Sequence, residues 1–249
     1  MSSLVSIITP SYNSSKFIKD CVASVFSQTY KNWEMIIVDD CSKDNSKEII
    51  SELSTKDKRI KPIFLEKNVG AAEARNTAIR QSKGKYVAFL DSDDLWNPKK
   101  LEKQLSFMKE NEIAFSYTTY QFMSENCEDL SNIISAPEKM TYHSYLRNTI
   151  IGCLTVIIDR EKSGEFEMPN IRSSHDMALW LLIMKRGFSA YGLDENLAKY
   201  RVVSSSNTSN KLKAAKEVWY VYRIVEKLNV FYALICFLGY ALNAIRKRI

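Results

Sequence analysis

The sequence predicts an α/β fold with a mainly parallel central sheet, helices on both faces and a C-terminal helical tail. Three observations carry that expectation. Short apolar runs alternate with stretches of helical period through the first half of the chain. Polar and acidic residues recur directly after those runs. The last stretch turns basic and then almost wholly apolar. Strands covered on both faces read as continuous apolar runs, and parallel neighbours need a crossover, usually a helix.

Leu4 to Thr9 (LVSIIT), Glu34 to Val38 (EMIIV), Ile60 to Leu65 (IKPIFL) and Tyr86 to Leu90 (YVAFL) read as buried strands. Between them, Ser14 to Gln28, Lys43 to Thr55 and Ala71 to Ser82 carry apolar positions every three or four residues. Phe17, Cys21, Val25 and Gln28, with Ile18 and Val22 beside them, mark one such face. Asn97-Pro98, an N-cap type followed by proline at the first helical position, predicts a further helix to Asn111. Ile113 to Phe122 resumes as a strand, and Cys153 to Ile158 (CLTVII) reads as another. Ser174 to Lys185 reads as a helix closed by Gly187. Lys211 to Asn229 is amphipathic, with Val218, Val221, Tyr222, Val225 and Leu228 on one face. The pattern divides into residues 1–205 (1–110 for the donor half, 111–205 for the acceptor half) and a tail, 206–249.

Composition excludes several classes. With 249 residues, 45% of them hydrophobic and 26% charged, the chain can bury a core without disulfide or metal staples. Two histidines and five scattered cysteines give no zinc-ligand spacing, and the odd cysteine count fits a reducing compartment. The start, Met1-Ser2-Ser3-Leu4, has no signal-peptide pattern. Seven glycines leave no Walker-type phosphate loop, and no basic stripe with interleaved aromatics points to nucleic acid.

In an open parallel sheet, ligands bind beyond the carboxyl ends of the strands. Here those ends carry Pro10, Ser11, Tyr12 and Asn13, then Asp39 and Asp40, then Asp91, Ser92, Asp93 and Asp94. Three carboxylates directly after an apolar strand repel one another unless a cation compensates them. Oxygen ligands of this kind suit Mn2+ or Mg2+ shared with a substrate's phosphates.

Asn68 to Asp94 (NVGAAEARNTAIRQSKGKYVAFLDSDD), with VSIITPSYN at the start and EMIIVDDCSKDNS, resembles the family 2 glycosyltransferases. These have the GT-A, or nucleotide-diphospho-sugar transferase, fold. The resemblance implies a UDP-sugar donor and inverting transfer without a covalent enzyme intermediate. It places Thr9 and Tyr12 around the nucleobase, with the tyrosine ring on uracil, and has Asp39 accept from the uracil N3–H. Arg75 lies near the diphosphate or holds the acidic loops, Asp91 contacts ribose or sugar, and Asp93 binds the metal. Asp94 either caps the following helix or acts directly. The general base is a carboxylate at the start of a late helix, here Asp176 in HDMALW. His175 stands where the family usually has glutamate, and is assigned to acceptor or loop contacts. Tyr200-Arg201 resembles another family element, but Val202 and Val203 follow where a histidine is often found.

The reaction so implied moves a hexose, glucose or galactose, to a hydroxyl of a lipid-linked glycan such as GlcNAc-diphospho-undecaprenol, in polysaccharide or O-antigen assembly. Two other readings stand beside it. A sugar nucleotidyltransferase uses a similar sheet, although it lacks support from any glycine-rich basic loop. A catalytically inactive membrane-bound assembly partner is favoured only by His175. Residues 1–200 hold 26 basic and 27 acidic residues, whereas 201–249 hold 9 basic and 2 acidic, so the net +6 resides in the tail. Val230 to Ile245 is too short to span a bilayer but suits an interfacial helix on an anionic membrane. That would place the protein peripherally on the cytoplasmic face of the inner (plasma) membrane. A buried helix or a homodimer contact is the alternative for the same stretch.

Overall fold

The computed structural model describes residues 2–203 and 211–246. Strands β1 (Val5–Ser11), β2 (Trp33–Asp39), β3 (Ile60–Phe64) and β4 (Tyr86–Phe89) alternate with helices α1 (Ile18–Phe26), α2 (Ser46–Lys56) and α3 (Ala71–Gln81). All pairings among these strands are parallel, in the order β3-β2-β1-β4. Side chains alternate across this sheet as the pleat requires. Ile8, Ile36, Val38, Val87 and Phe89 join α3 in one core, while Val5, Ile7, Met35, Ile37 and Ala88 join α1 in the other.

The second half is mixed. After the short β5 (Leu95–Trp96) comes α4 (Lys100–Glu110), then β6 (Phe115–Met123), β7 (Asp129–Ile134), β8 (Lys139–Met140) and α5 (Tyr142–Arg147). Strand β9 (Ile157–Asp159) runs antiparallel to both β4 and β6 and joins the two halves. The chain continues through α6 (Arg160–Ser163) and α7 (His175–Lys185) to β10 (Ala190–Arg201), parallel to β6 and antiparallel to β5 and β8. The resulting sheet has the order β3-β2-β1-β4-β9-β6-β10-β5, with β7 on β6 and β8 on β10.

Two local expectations are corrected. CLTVII is not one strand: Cys153–Thr155 forms a 3-10 turn and only Ile157–Asp159 pairs. The Thr155 hydroxyl donates to the Gly152 carbonyl at 2.7 Å, closing the turn. Helix α4 begins at Lys100 rather than at Pro98, although Asn97 still accepts from the Lys99 N–H at 3.1 Å.

The tail opens with α8 (Lys211–Tyr220), passes through a π-helical turn, Val221–Val225, and ends in α9 (Val230–Arg246). Residues 204–210 and 247–249 lie outside the described residues, so the link into the tail and Lys247-Arg248 are known from sequence alone. Among the described residues, no helix is long and apolar enough to cross a membrane. Val218, Val221, Tyr222, Ala233 and Cys236 are buried in the same core as Trp180 of α7 and Phe89 of β4.

Candidate active site

The carboxyl ends of the parallel strands gather most of the sequence-assigned residues. Thr9 lies buried near the end of β1, with no hydrogen-bond partner for its hydroxyl. Tyr12, just past the strand, is 50% exposed, so its ring has a free surface. Ser11 stands opposite Asp39 in register, and the Asp40 N–H donates to the Ser11 carbonyl at 2.8 Å. Asp39 is buried and accepts from the Ser42 N–H at 3.0 Å and from the Ser42 hydroxyl. Each carboxylate oxygen has two acceptor directions, so these bonds leave capacity for a further donor.

Asp40 has a different task. It accepts from the Val69 N–H at 2.7 Å and the Gly70 N–H at 2.8 Å. Gly70 has φ of 89°, a conformation that side chains with a Cβ rarely adopt, and α3 starts at the next residue. The pair Asp39-Asp40 thus divides into one residue facing outward from the strand ends and one that fastens the turn leading into Arg75.

Arg75 sits on the inner face of α3 and is buried. One arm of its guanidinium forms an ion pair with Asp91. The other lies 2.7 Å from His175 Nε2. A guanidinium has only donors, so Nε2 is the acceptor and the imidazole is neutral, with its proton on Nδ1. Burial, then the neighbouring Arg75 charge, pushes the His175 pKa below the ordinary 6.5. Burial works against the Arg75 charge as well, but Asp91 outweighs it and holds the guanidinium protonated. Arg75 therefore ties the acidic loop after β4 to the first turn of α7.

Burial, followed by the charge of Asp91, pushes Asp93 up to about 6. Asp94 is also raised, by burial and then by Asp93 and Asp91, and it accepts from the Arg201 N–H at 2.8 Å. That bond to β10 replaces the helix-cap role considered for Asp94. Arg201 is buried; its Nε donates to the Asp93 carbonyl at 2.7 Å and its Nη1 to the Glu125 carbonyl at 2.7 Å. It also lies over the Phe17 ring, 4.8 Å from the centroid. Its side chain is thus spent on fastening the acidic loop from behind.

A crowded, partly buried set of carboxylates with raised pKa fits a divalent cation better than it fits protein partners alone. Among the described residues, no three His, Cys, Asp or Glu side chains form a closed ligand cage. Mg2+ and Mn2+ sites built from one or two carboxylates and substrate phosphates need no such cage.

Asp176 occupies the first turn of α7, where the helix dipole favours a carboxylate. It is near enough to Arg75, Tyr120, Tyr145 and Cys153 to influence each electrostatically. Helix α7 is held by Trp180, whose ring packs 5.4 Å from Phe89 and 5.3 Å from Phe115. Sequence reasoning missed Tyr120, Tyr145 and Cys153. Cys153 comes to the site on the 3-10 turn, whose Thr155 carbonyl accepts from Gln104 at 3.0 Å and from the buried Lys100 at 3.3 Å. No local motif marks those residues; the turn and the second half of the sheet bring them in.

The glycosyl transferase family 2 model matches residues 6–159, more than half of the chain. The chain belongs to that family. A Bacillus subtilis glycosyltransferase named for teichuronic acid biosynthesis, TuaG, is 54% identical over 246 residues, covering 99% of this chain and 98% of that protein. The Escherichia coli enzyme WfgD, named as a UDP-Glc:α-D-GlcNAc-diphosphoundecaprenol β-1,3-glucosyltransferase, is 44% identical over 217 residues, covering 87% and 84%. Among solved structures, Staphylococcus aureus TarS 1–349 in complex with UDP superposes with a TM-score of 0.71 at 23% identity, covering 96% of this chain and 70% of that one. The mannosyltransferase PcManGT of Pyrobaculum calidifontis, solved with GDP-Man and Mn2+, gives 0.72 at 16% identity, covering 99% and 71%. These structural likenesses establish the GT-A fold, with its single central sheet and flanking helices.

Proposed function

We propose that this family 2 member is a metal-dependent, inverting hexosyltransferase. It moves glucose or galactose from a UDP-sugar to a hydroxyl of a lipid-linked glycan during cell-surface polysaccharide assembly. The observation that carries the reading is the acidic loop Asp91–Asp94, pinned by Arg75 and Arg201 beside the strand ends that bear Thr9, Tyr12 and Asp39. Support for the substrates comes from WfgD, named for UDP-Glc and a GlcNAc-diphosphoundecaprenol acceptor.

In this mechanism Tyr12 stacks on the uracil and Asp39 accepts its N3–H, while Thr9 offers its unpaired hydroxyl to the same pocket. Asp91 orients the ribose or sugar. Asp93 would hold Mn2+ or Mg2+, which supplies charge neutralisation for the departing diphosphate. Asp176 takes the proton from the acceptor hydroxyl as its oxygen attacks the anomeric carbon from the face opposite UDP, which inverts that centre. His175 fixes the first turn of α7 through Arg75, and so sets where Asp176 stands. An acceptor on undecaprenyl diphosphate requires the enzyme to work at a membrane surface, on the cytoplasmic side where nucleotide sugars are made.

The test is UDP release from UDP-Glc with a GlcNAc-diphospho-lipid acceptor, with and without Mn2+. Asp93→Asn and Asp176→Asn are each expected to lower kcat by at least about 100-fold. Full activity in either variant, or indifference to a chelator, refutes the corresponding role.

A further inference from the structure

Helix α9 has two unlike faces. Ala233 and Cys236 are fully buried, and Tyr232, Phe237 and Tyr240 pack against the main core. The opposite side carries Phe231, Leu234, Ile235, Leu238 and Leu242, all exposed, with Phe231 at 82% and Leu238 at 63%. At 100° per residue these five positions fall within an arc of about 100°, a continuous apolar stripe. Tyr220 and Ile224 are likewise exposed on the preceding helical segment. A stripe of this composition on a water-facing helix needs an occupant.

Charge identifies which one. Residues 201–249 carry a net +7. Of the two acidic residues there, Glu226 is turned inward, bridged to Lys185 at 3.1 Å and accepting from the Tyr142 hydroxyl at 2.6 Å. Lys216 and Lys227 face solvent. An apolar stripe beside unneutralised cations matches an anionic lipid surface. A second copy of this chain would bring the same positive charge against itself.

Position within the fold agrees. The inner side of α9 lies on α5: the His143 ring nitrogen Nδ1 and the Tyr232 hydroxyl are 2.7 Å apart, and Asn243 donates to the Arg147 carbonyl at 3.1 Å. At Gly239 a Cβ would come within 3.0 Å of the Arg147 side chain, so the two helices meet closely there. Helix α5 in turn packs on α7, and its Tyr145 lies beside Asp176. Only one short helix therefore separates the stripe from the proposed acceptor base.

We infer that the outer face of α9 is the membrane-docking surface, seated in the headgroup region of an anionic bilayer and rigidly coupled through α5 to the acceptor side of the site. This rests on the lipid-linked acceptor reading for its purpose, but not for its measurement.

The experiment uses the full chain and vesicle sedimentation without any substrate, comparing phosphatidylcholine vesicles with vesicles containing phosphatidylglycerol. The wild type is expected to bind the anionic vesicles, with affinity falling as salt is raised. Leu234→Glu/Leu238→Glu, on exposed positions, is expected to bind at least tenfold more weakly while keeping the wild-type circular dichroism and melting temperature. Lys216→Glu/Lys227→Glu provides a second variant that leaves the apolar stripe intact and is expected to weaken binding to anionic vesicles selectively. Unchanged vesicle binding in both double variants overturns the inference. So does a wild-type dimer that binds no vesicles and dissociates on Leu234→Glu/Leu238→Glu. UDP release with a water-soluble acceptor is measured separately: its absence refutes the proposed reaction, whereas vesicle binding decides the surface.

Discussion

Replacing His175 by alanine removes the acceptor for one arm of a guanidinium that is only 5% exposed. A hydrogen bond involving a charged group contributes about 1.5–3 kcal/mol, and an unpaired buried donor forfeits a similar amount. Taking about 2 kcal/mol as the share felt by the reacting geometry, kcat/KM for UDP release should fall roughly 30-fold. His175→Gln offers a carbonyl oxygen to the same N–H and should keep activity within about threefold of wild type. Protonation imitates the alanine variant. Because burial and Arg75 hold the folded pKa below 6.5, the bond is intact above pH 6.5 and is lost as pH falls through that lowered value. Wild-type activity should therefore show an acidic limb that His175→Gln lacks. Wild-type rates in His175→Ala, or an identical acidic limb in His175→Gln, would refute the coupling between Arg75 and α7.

Three further outcomes follow from the packing. Asp40→Ala strips acceptors from the Val69 and Gly70 N–H groups at the start of α3, and should lower stability by about 2–4 kcal/mol in urea unfolding. Gly84→Ala places a Cβ 2.6 Å from the Ser6 nitrogen and 2.8 Å from the Leu4 carbonyl; the backbone must shift, at a cost of about 1–3 kcal/mol, read as a lower melting temperature. Asp44 faces a burial penalty, but bonds from Ser46 and Ser15 outweigh it and lower its pKa to about 2. Its depressed value means that the stabilisation is complete above pH 3.8 and is lost as pH falls toward 2, and acid unfolding of Asp44→Asn should lack that component.

The parallel half of the sheet was legible because its strands are buried on both faces, which leaves uninterrupted apolar runs such as IIV and VAF. Strand β10 was not. Its sequence, AYGLDENLAKYR, alternates between buried and partly exposed positions and shifts register between Leu193 and Asn196. Strand β7 lies mostly exposed and carries little apolar signal. The candidate site was legible to the same extent. Its acidic residues follow readable strands, whereas the partner that settles Asp94, the Arg201 N–H, lies 107 residues away. No pattern within a local window could pair them. Cys153 belongs to an apolar stretch that imitates a strand, and only the bond of Thr155 back to Gly152 turns it toward the site.

The clasp formed by Arg201 limits how portable the acidic motif can be. Asp93 is gripped by its carbonyl and Asp94 by its carboxylate, both from the last residue of β10, while Glu125 receives the other arm of the same guanidinium. A lysine there keeps the charge but loses the fork that spans two carbonyls. Transplanting residues 91–94 onto another sheet would move the letters without the clamp that gives them their geometry. For an engineer, the smallest exchangeable unit is the loop together with the distant strand end that holds it.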